Sequence, residues 1–343
     1  MKVLLTYPPV ENVHPWEGAA YVESVTELFN LSVDRRGHAL VDSPDAGEII
    51  LYLAPNGWKD RSYAEILLRQ DYIRRFPGKC FVYNYAPFFM GFLPGIYANL
   101  DGRHPDQHRF ASWSYLLGLP NPFVEKVADR RNLHKPSLLF SFRGVNTAGV
   151  RKVIFSHKKD WGRESRLTEV ESRFFFNLSA DQQREYAEEI FDTRFVLCPR
   201  GLGCNSHRLF ETMALGRVPV ILSDAWVEPT GPKWSEFSIR VAERDVPRLP
   251  ELLQQYDSHF TEMGWKARQA WETWFAPEVR IPRFFDRLEA LAAAQPTTPT
   301  NYAKLWRSWS FYRPYGLAPE QKIWRNLRNG KIWKKLFRRN ASV

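Results

Sequence analysis

Short apolar runs alternate with stretches of helical spacing along the chain as far as residue 256. Residues 2–8 (KVLLTYP) read as a buried first strand, stopped by Pro8-Pro9. A helix is expected over 21–31, a second strand over 48–53, a helix over 62–75 and a third strand over 79–83. Pro and Gly then crowd residues 87–122, which read as irregular and acceptor-facing. A second cycle opens with LLFSFRG at 138–144, a strand running into a glycine turn. A helix over 181–191, the strand FVLCP at 195–199, a short helix over 206–215 and the strand VPVIL at 218–222 follow. FSIRV at 237–241 reads as a last strand and 246–256 as a helix. Strands alternating with helices give a parallel sheet covered on both faces, so the pattern predicts an α/β protein of two Rossmann-like halves facing a cleft. The domains are drawn at 1–135, 136–295 and a tail at 296–343.

Composition changes this picture little until charge is located. The chain has 343 residues, 44% hydrophobic and 25% charged, which suits a globular protein with a core of its own. Thirteen Trp suit core packing first and sugar stacking or a membrane interface second. Cys80, Cys198 and Cys204 are odd in number and widely spaced, so reduced thiols in a cytoplasmic protein are expected. The sequons at Asn177 and Asn340 then read as chance matches. The five-residue apolar run after Lys2 is too short for a signal peptide, and no apolar stretch is long enough to span a bilayer.

The net charge of +10 sits at one end: eleven of the 48 Lys and Arg, but one of the 38 acidic residues, lie from Lys304 onward, so the body is neutral. There KIWRNL at 322–327 recurs as KIWKKL at 331–336, each with one apolar face on a basic helix. With Trp306, Trp309, Trp324 and Trp333, this tail fits an anionic membrane surface. Packing back on the body is an equal reading, and nucleic acid is a weaker one because the charge is confined to the tail.

The densest chemistry is CPRGLGCNSHRLFE at 198–211. A buried strand ends, a loop with two glycines follows, and a helix begins near Ser206. Such a loop lets backbone N–H groups and a helix amino end approach an anion. Arg200 can fork onto phosphate oxygens, Gly201 allows close approach, and Glu211 can accept hydrogen bonds from ribose hydroxyls. The alternative is a structural turn in which Arg208 and Glu211 pair at i, i+3.

The run PRGLGCNSHRLFETMALGRVPVILSD at 199–224, with the later Trp234-x-x-Phe237-Ser238, resembles the exostosin-like glycosyltransferases. Weaker echoes lie at 46–55 and at Phe142-Arg143-Gly144 with Arg151. The resemblance implies a GT-B architecture, with a nucleotide-sugar donor held by the second half. UDP-sugars are the implied donors, transfer is inverting, and no cofactor is implied. Carried over, Arg143 and Arg200 face the diphosphate, with Arg151 beside them and Ser206 near it, Glu211 binds ribose, and Gly201, His207 and Arg208 complete the donor site. His207 shares a helix face with Glu211 and is expected to orient it. An acceptor that is a glycan or a lipid-linked glycan is implied. Arg143 also reads as a hinge or inter-domain salt bridge, His207 as a surface histidine, and the whole chain, alternatively, as a catalytically inactive sugar-nucleotide or glycan-binding module.

The inverting reaction needs a base for the acceptor hydroxyl. Glu11, His14 and Glu17 follow the first strand, and Glu17, beside Trp16 and Gly18, is the candidate, against a solvated loop carboxylate. The family's W-x-R-x-x-G-x-D-H pattern is missing here. No D-x-D motif occurs, consistent with metal-free stabilisation of the leaving diphosphate. His104 and His108 have metal-like spacing, but Pro105 breaks the helix that would align them. Asp42 and Asp45 flank Pro44 as turn residues.

Overall fold

The computed structural model describes residues 1–8, 18–54, 62–103, 108–117, 121–128, 134–171, 178–296 and 300–315. Glu11, His14, Glu17, His104 and residues 316–343 therefore lie outside the described residues.

Two parallel sheets organise the chain. In the first, β1 (Lys2–Thr6) is followed by α1 (Ala19–Leu31), β2 (Ala39–Leu40), β3 (Ile49–Ala54), α2 (Ser62–Leu68), α3 (Asp71–Arg75) and β4 (Cys80–Asn84). The strands β5 (Gly95–Tyr97) and β6 (Phe110–Ser112) complete the order β2-β1-β3-β4-β5-β6, parallel throughout. All six residues of β3 are buried, as expected for a strand covered on both faces. Alternation sends Ile49, Leu51 and Leu53 to one core, and Ile50 and Tyr52 to the other.

Two expectations are corrected here. The single helix over 62–75 is two helices, because Gln70 is extended and its side-chain amide donates to the Ile66 carbonyl at 3.1 Å. A side chain that takes a helix-end carbonyl competes with continuation of the helix. The segment 87–122 is not wholly irregular, since it supplies β5 and β6. Gly95 makes this possible: a Cβ there would lie 2.0 Å from the Val82 carbonyl oxygen.

The second sheet begins after α4 (Pro122–Ala128) with β7 (Leu138–Gly144), α5 (Gly149–Ser156), β8 (Ser165–Glu169), α6 (Ala180–Phe191) and β9 (Thr193–Pro199). It continues through α7 (His207–Ala214), β10 (Val218–Leu222), β11 (Ile239–Arg240) and α8 (Leu249–Gln254), in parallel order β11-β10-β9-β7-β8. Ser179 and Gln182 form a reciprocal capping box that starts α6. Gly216, at φ 63°, closes α7 with its N–H on Met213.

Next, α9 (Phe260–Trp274) packs on α7 and β10, and then α10 (Pro277–Ala293) crosses back to α1, β5 and β6. Phe284 meets Tyr83 edge-on at 5.3 Å, Phe285 lies 5.4 Å from Phe29, and Asp286 bonds His38 at 3.0 Å. The segment drawn as a tail also returns. In α11 (Tyr302–Arg307) and α12 (Trp309–Tyr312), the residues Tyr302, Trp306, Phe311 and Tyr312 are buried against the first sheet's core. Trp306 is 1% exposed and its indole N–H donates to the Phe92 carbonyl at 3.2 Å. Residues 300–315 are thus part of the body, not of a separate basic helix, because their aromatic positions find an apolar groove. Trp309 alone of the two described tail tryptophans stays exposed, at 46%. Among the described residues no helix is long and apolar enough to cross a membrane.

The carboxyl ends of the two sheets meet. The Asn205 N–H donates to Asn99 Oδ1 and the Asn205 side chain donates to the Ala98 carbonyl, both at 2.9 Å. Gly102 and Val227 donate across the same seam to Ala225 and Leu100, and Asp101 bridges Trp226.

Candidate functional site

The loop from β9 to α7 lies at that seam. Register with β10 carries on one residue past β9, where the Arg200 N–H donates to the Leu222 carbonyl at 3.1 Å. The loop's two glycines are required by close packing. A Cβ on Gly203 would sit 2.3 Å from Asn99 Oδ1, and one on Gly201 would sit 3.2 Å from the Arg151 guanidinium.

Ser206 is the N-cap of α7 but its hydroxyl makes no capping bond, and its own N–H is taken by Asn205 Oδ1 at 2.7 Å. The amino end of α7 therefore keeps its positive dipole end without a side-chain cap. Arg200 donates through Nε to Glu243 Oε1 at 2.6 Å and is 32% exposed, so its terminal nitrogens are open to a ligand.

One turn into α7, Glu211 accepts the Tyr186 hydroxyl on one carboxylate oxygen. Burial pushes the Glu211 carboxyl above its usual range, opposed by the Tyr186 hydrogen bond and the Arg208 charge. Arg208 does not pair with Glu211. Its guanidinium is buried between the Phe142 and Tyr186 rings, at 4.6 and 5.3 Å, and donates to the Arg143 carbonyl. His207 stacks on Tyr115, 3.6 Å between centroids at 16°, and loss of solvent lowers its pKa to about 4. It is neutral at pH 7 and is occupied by Tyr115, so the structure gives it a place in the seam between the two halves and no contact that orients Glu211.

Two expected donor ligands are engaged by other partners. Arg143 turns to α6, where Nε donates to Glu189 at 3.0 Å and Nη1 to Glu185 at 3.2 Å. It lines a cavity of about 600 Å³ with Arg166, Glu185, Glu188 and Glu189, away from Arg200. The cause is strand alternation: Phe142 enters the core with Val150 and Ile154 of α5, so Arg143 must face the opposite helix. Arg151 lies directly under the loop, but each of its three guanidinium nitrogens donates to a backbone carbonyl. Nε donates to the Arg200 carbonyl at 2.8 Å, Nη1 to Val145 at 2.9 Å and Nη2 to Pro199 at 3.1 Å. Burial, with the neighbouring Arg208 and Arg200 charges, lowers its pKa to about 10, which leaves it a cation at neutral pH. It braces the loop from below.

The loop lies within a stretch that resembles a known family. The family model of the exostosin GT47 domain matches residues 117–256, the stretch from just after β6 to the end of α8. Residues 117–256 are therefore similar to the exostosin GT47 domain. The resemblance carried by residues 199–224 is thereby borne out. An exostosin-1 homolog of Caenorhabditis elegans is 44% identical over 71 residues, 20% of this chain and 19% of that protein. A probable glucuronoxylan glucuronosyltransferase of Arabidopsis thaliana is 41% identical over 81 residues, 23% of this chain and 18% of that one. The chain thus spans about a fifth of the length of the curated relatives it matches. Among solved structures, a sucrose-phosphate synthase from Thermosynechococcus elongatus aligns over 84% of this chain and 99% of its own, at 10% identity and a TM-score of 0.35.

Within the matched stretch the structure brings together Arg200, Gly201, Ser206 and Glu211, and adds partners that sequence reasoning missed. Glu243 grips Arg200, Tyr186 holds Glu211, and Asn99 and Tyr115 reach in from the first half. Tyr186 falls on the α6 face beside Glu185 and Glu189, and helical spacing could have drawn attention to it. No local signal marks Glu243, 43 residues beyond its arginine.

Proposed function

We propose that this chain is a glycosyltransferase that moves a sugar from a nucleoside-diphosphate sugar, a UDP-sugar, to a glycan or lipid-linked acceptor. The observation that carries the reading is the 199–211 loop and helix inside the stretch similar to the exostosin domain. It combines an arginine fork open to solvent, an α7 amino end without a side-chain cap, and a carboxylate one turn on. In the inverting transfer, the acceptor oxygen bonds to the anomeric carbon as that carbon's bond to the diphosphate oxygen breaks. The acceptor proton passes to a base, and the electron pair leaves with the diphosphate. Arg200 and the α7 dipole stabilise that departing anion without a metal. One oxygen of Glu211 takes the Tyr186 hydroxyl and the other is open to ribose. Glu17 is the proposed base, on the sequence argument alone.

Calorimetric titration with UDP, GDP and ADP, each with and without EDTA, tests the reading. Selective UDP binding that EDTA leaves unchanged supports it. Binding by none of the three removes the donor-site assignment. Binding without transfer from any UDP-sugar favours the inactive module. The repeated basic faces at 322–327 and 331–336 support a further part of the proposal, contact with an anionic bilayer that carries the acceptor. Sedimentation with phosphatidylserine vesicles should then fall with salt and be lost on truncation after residue 315.

A further inference from the structure

Arg200 is held from one side only. Its Nε donates to Glu243 Oε1, and among the described residues its two terminal nitrogens take no partner. Glu243 is itself fixed: its backbone N–H donates to Asp224 Oδ1 at 2.9 Å, and the Asp224 N–H points back at Glu243 Oε1 at 3.4 Å. Asp224 lies just beyond β10 and Glu243 just beyond β11, so the carboxylate hangs from the ends of two neighbouring strands, beside the strand that carries Arg200. A long arginine side chain otherwise samples many rotamers, and fixing it before a ligand arrives removes that cost from binding.

We infer that Glu243 is a positioning residue for the donor: it clamps Arg200 through Nε so that the outer two nitrogens form a ready fork for a nucleoside diphosphate. This rests on the donor-site reading of the 199–211 loop. The carboxylate also brings a negative charge toward an anionic ligand, but Arg200 neutralises it in place, and the rigid fork outweighs the residual repulsion.

The test is a double-mutant cycle read by UDP and uridine titration. Glu243→Ala should weaken UDP binding on the order of tenfold and leave uridine unchanged, since only the phosphates meet Arg200. Glu243→Gln keeps an acceptor for Nε and should bind UDP within about threefold of the original chain, which also guards against a folding artefact in the alanine variant. In an Arg200→Ala background, Glu243→Ala should cost nothing more. Unchanged or tighter UDP binding by Glu243→Ala overturns the inference, as does equal loss for UDP and uridine, or additivity with Arg200→Ala. Failure of the unsubstituted chain to bind any nucleoside diphosphate sinks the donor-site reading, and the clamp with it.

Discussion

Replacing Arg151 with Met separates the two roles open to this residue, since Met fills similar space and donates nothing. Three carbonyls lose a donor: that of Val145 keeps the Thr147 N–H, that of Arg200 is partly reached by water, and that of Pro199 is buried. A buried carbonyl left unpaired costs about 1–3 kcal/mol, so Pro199 sets the scale of the loss. Relief of the buried guanidinium's desolvation offsets part of this, and a net loss of about 1.4 kcal/mol is expected. That is a shift of roughly tenfold in the folding equilibrium. Urea unfolding followed by circular dichroism reads it as a lowered midpoint at unchanged slope. Below the transition, UDP and uridine affinities should fall together, because the whole loop loses its brace. If Arg151→Met leaves the midpoint in place and loses UDP but not uridine, Arg151 contacts the diphosphate and the bracing account is wrong.

Glu211→Ala should weaken UDP and uridine binding equally, on the order of tenfold, since the carboxylate is assigned to ribose; unchanged titrations would remove that role. His207, with a folded pKa of about 4 against an ordinary 6.5, binds fewer protons folded than unfolded between those values. Its contribution is therefore full above pH 6.5 and is lost as pH falls toward 4; His207→Gln should flatten that limb of the stability profile measured by urea melts. Trp306→Ala empties a site 1% exposed and drops a hydrogen bond to Phe92, so a loss of about 3–5 kcal/mol is expected; a neutral result in calorimetric melting would mean that residues 300–315 do not belong to the body.

Much of the second sheet was legible because its strands are continuous apolar runs. LLFSFRG and VPVIL coincide with β7 and β10, and Ser206 and Gly216 bracket α7, although the Ser206 hydroxyl makes no capping bond. β5 and β6 escaped because three residues carry no period, and their pairing depends on a glycine pressed against Val82. At the site, residue types within one motif were readable and their directions were not. Arg143 follows a core Phe on a strand, and that alternation alone was enough to turn it away. Arg151 was rightly drawn to the loop, but its carbonyl partners exist only once β7 and β9 lie side by side. The α10 crossing was hidden because Phe284 and Phe285 would suit either core.

Among the described residues the polypeptide passes between its two halves twice, once after β6 and once between α9 and α10. These passages run next to each other, for Trp113 and Phe275, one on each, lie ring to ring at 5.5 Å. A single tether lets two bodies swivel freely, and two distant tethers lock them. Two adjacent tethers behave as a strap hinge, stiff to torsion and compliant in bending. Opening about the Trp113–Phe275 contact would have to break the seam bonds made by Asn205, Gly102 and Val227, so the strap and the seam together hold the halves closed.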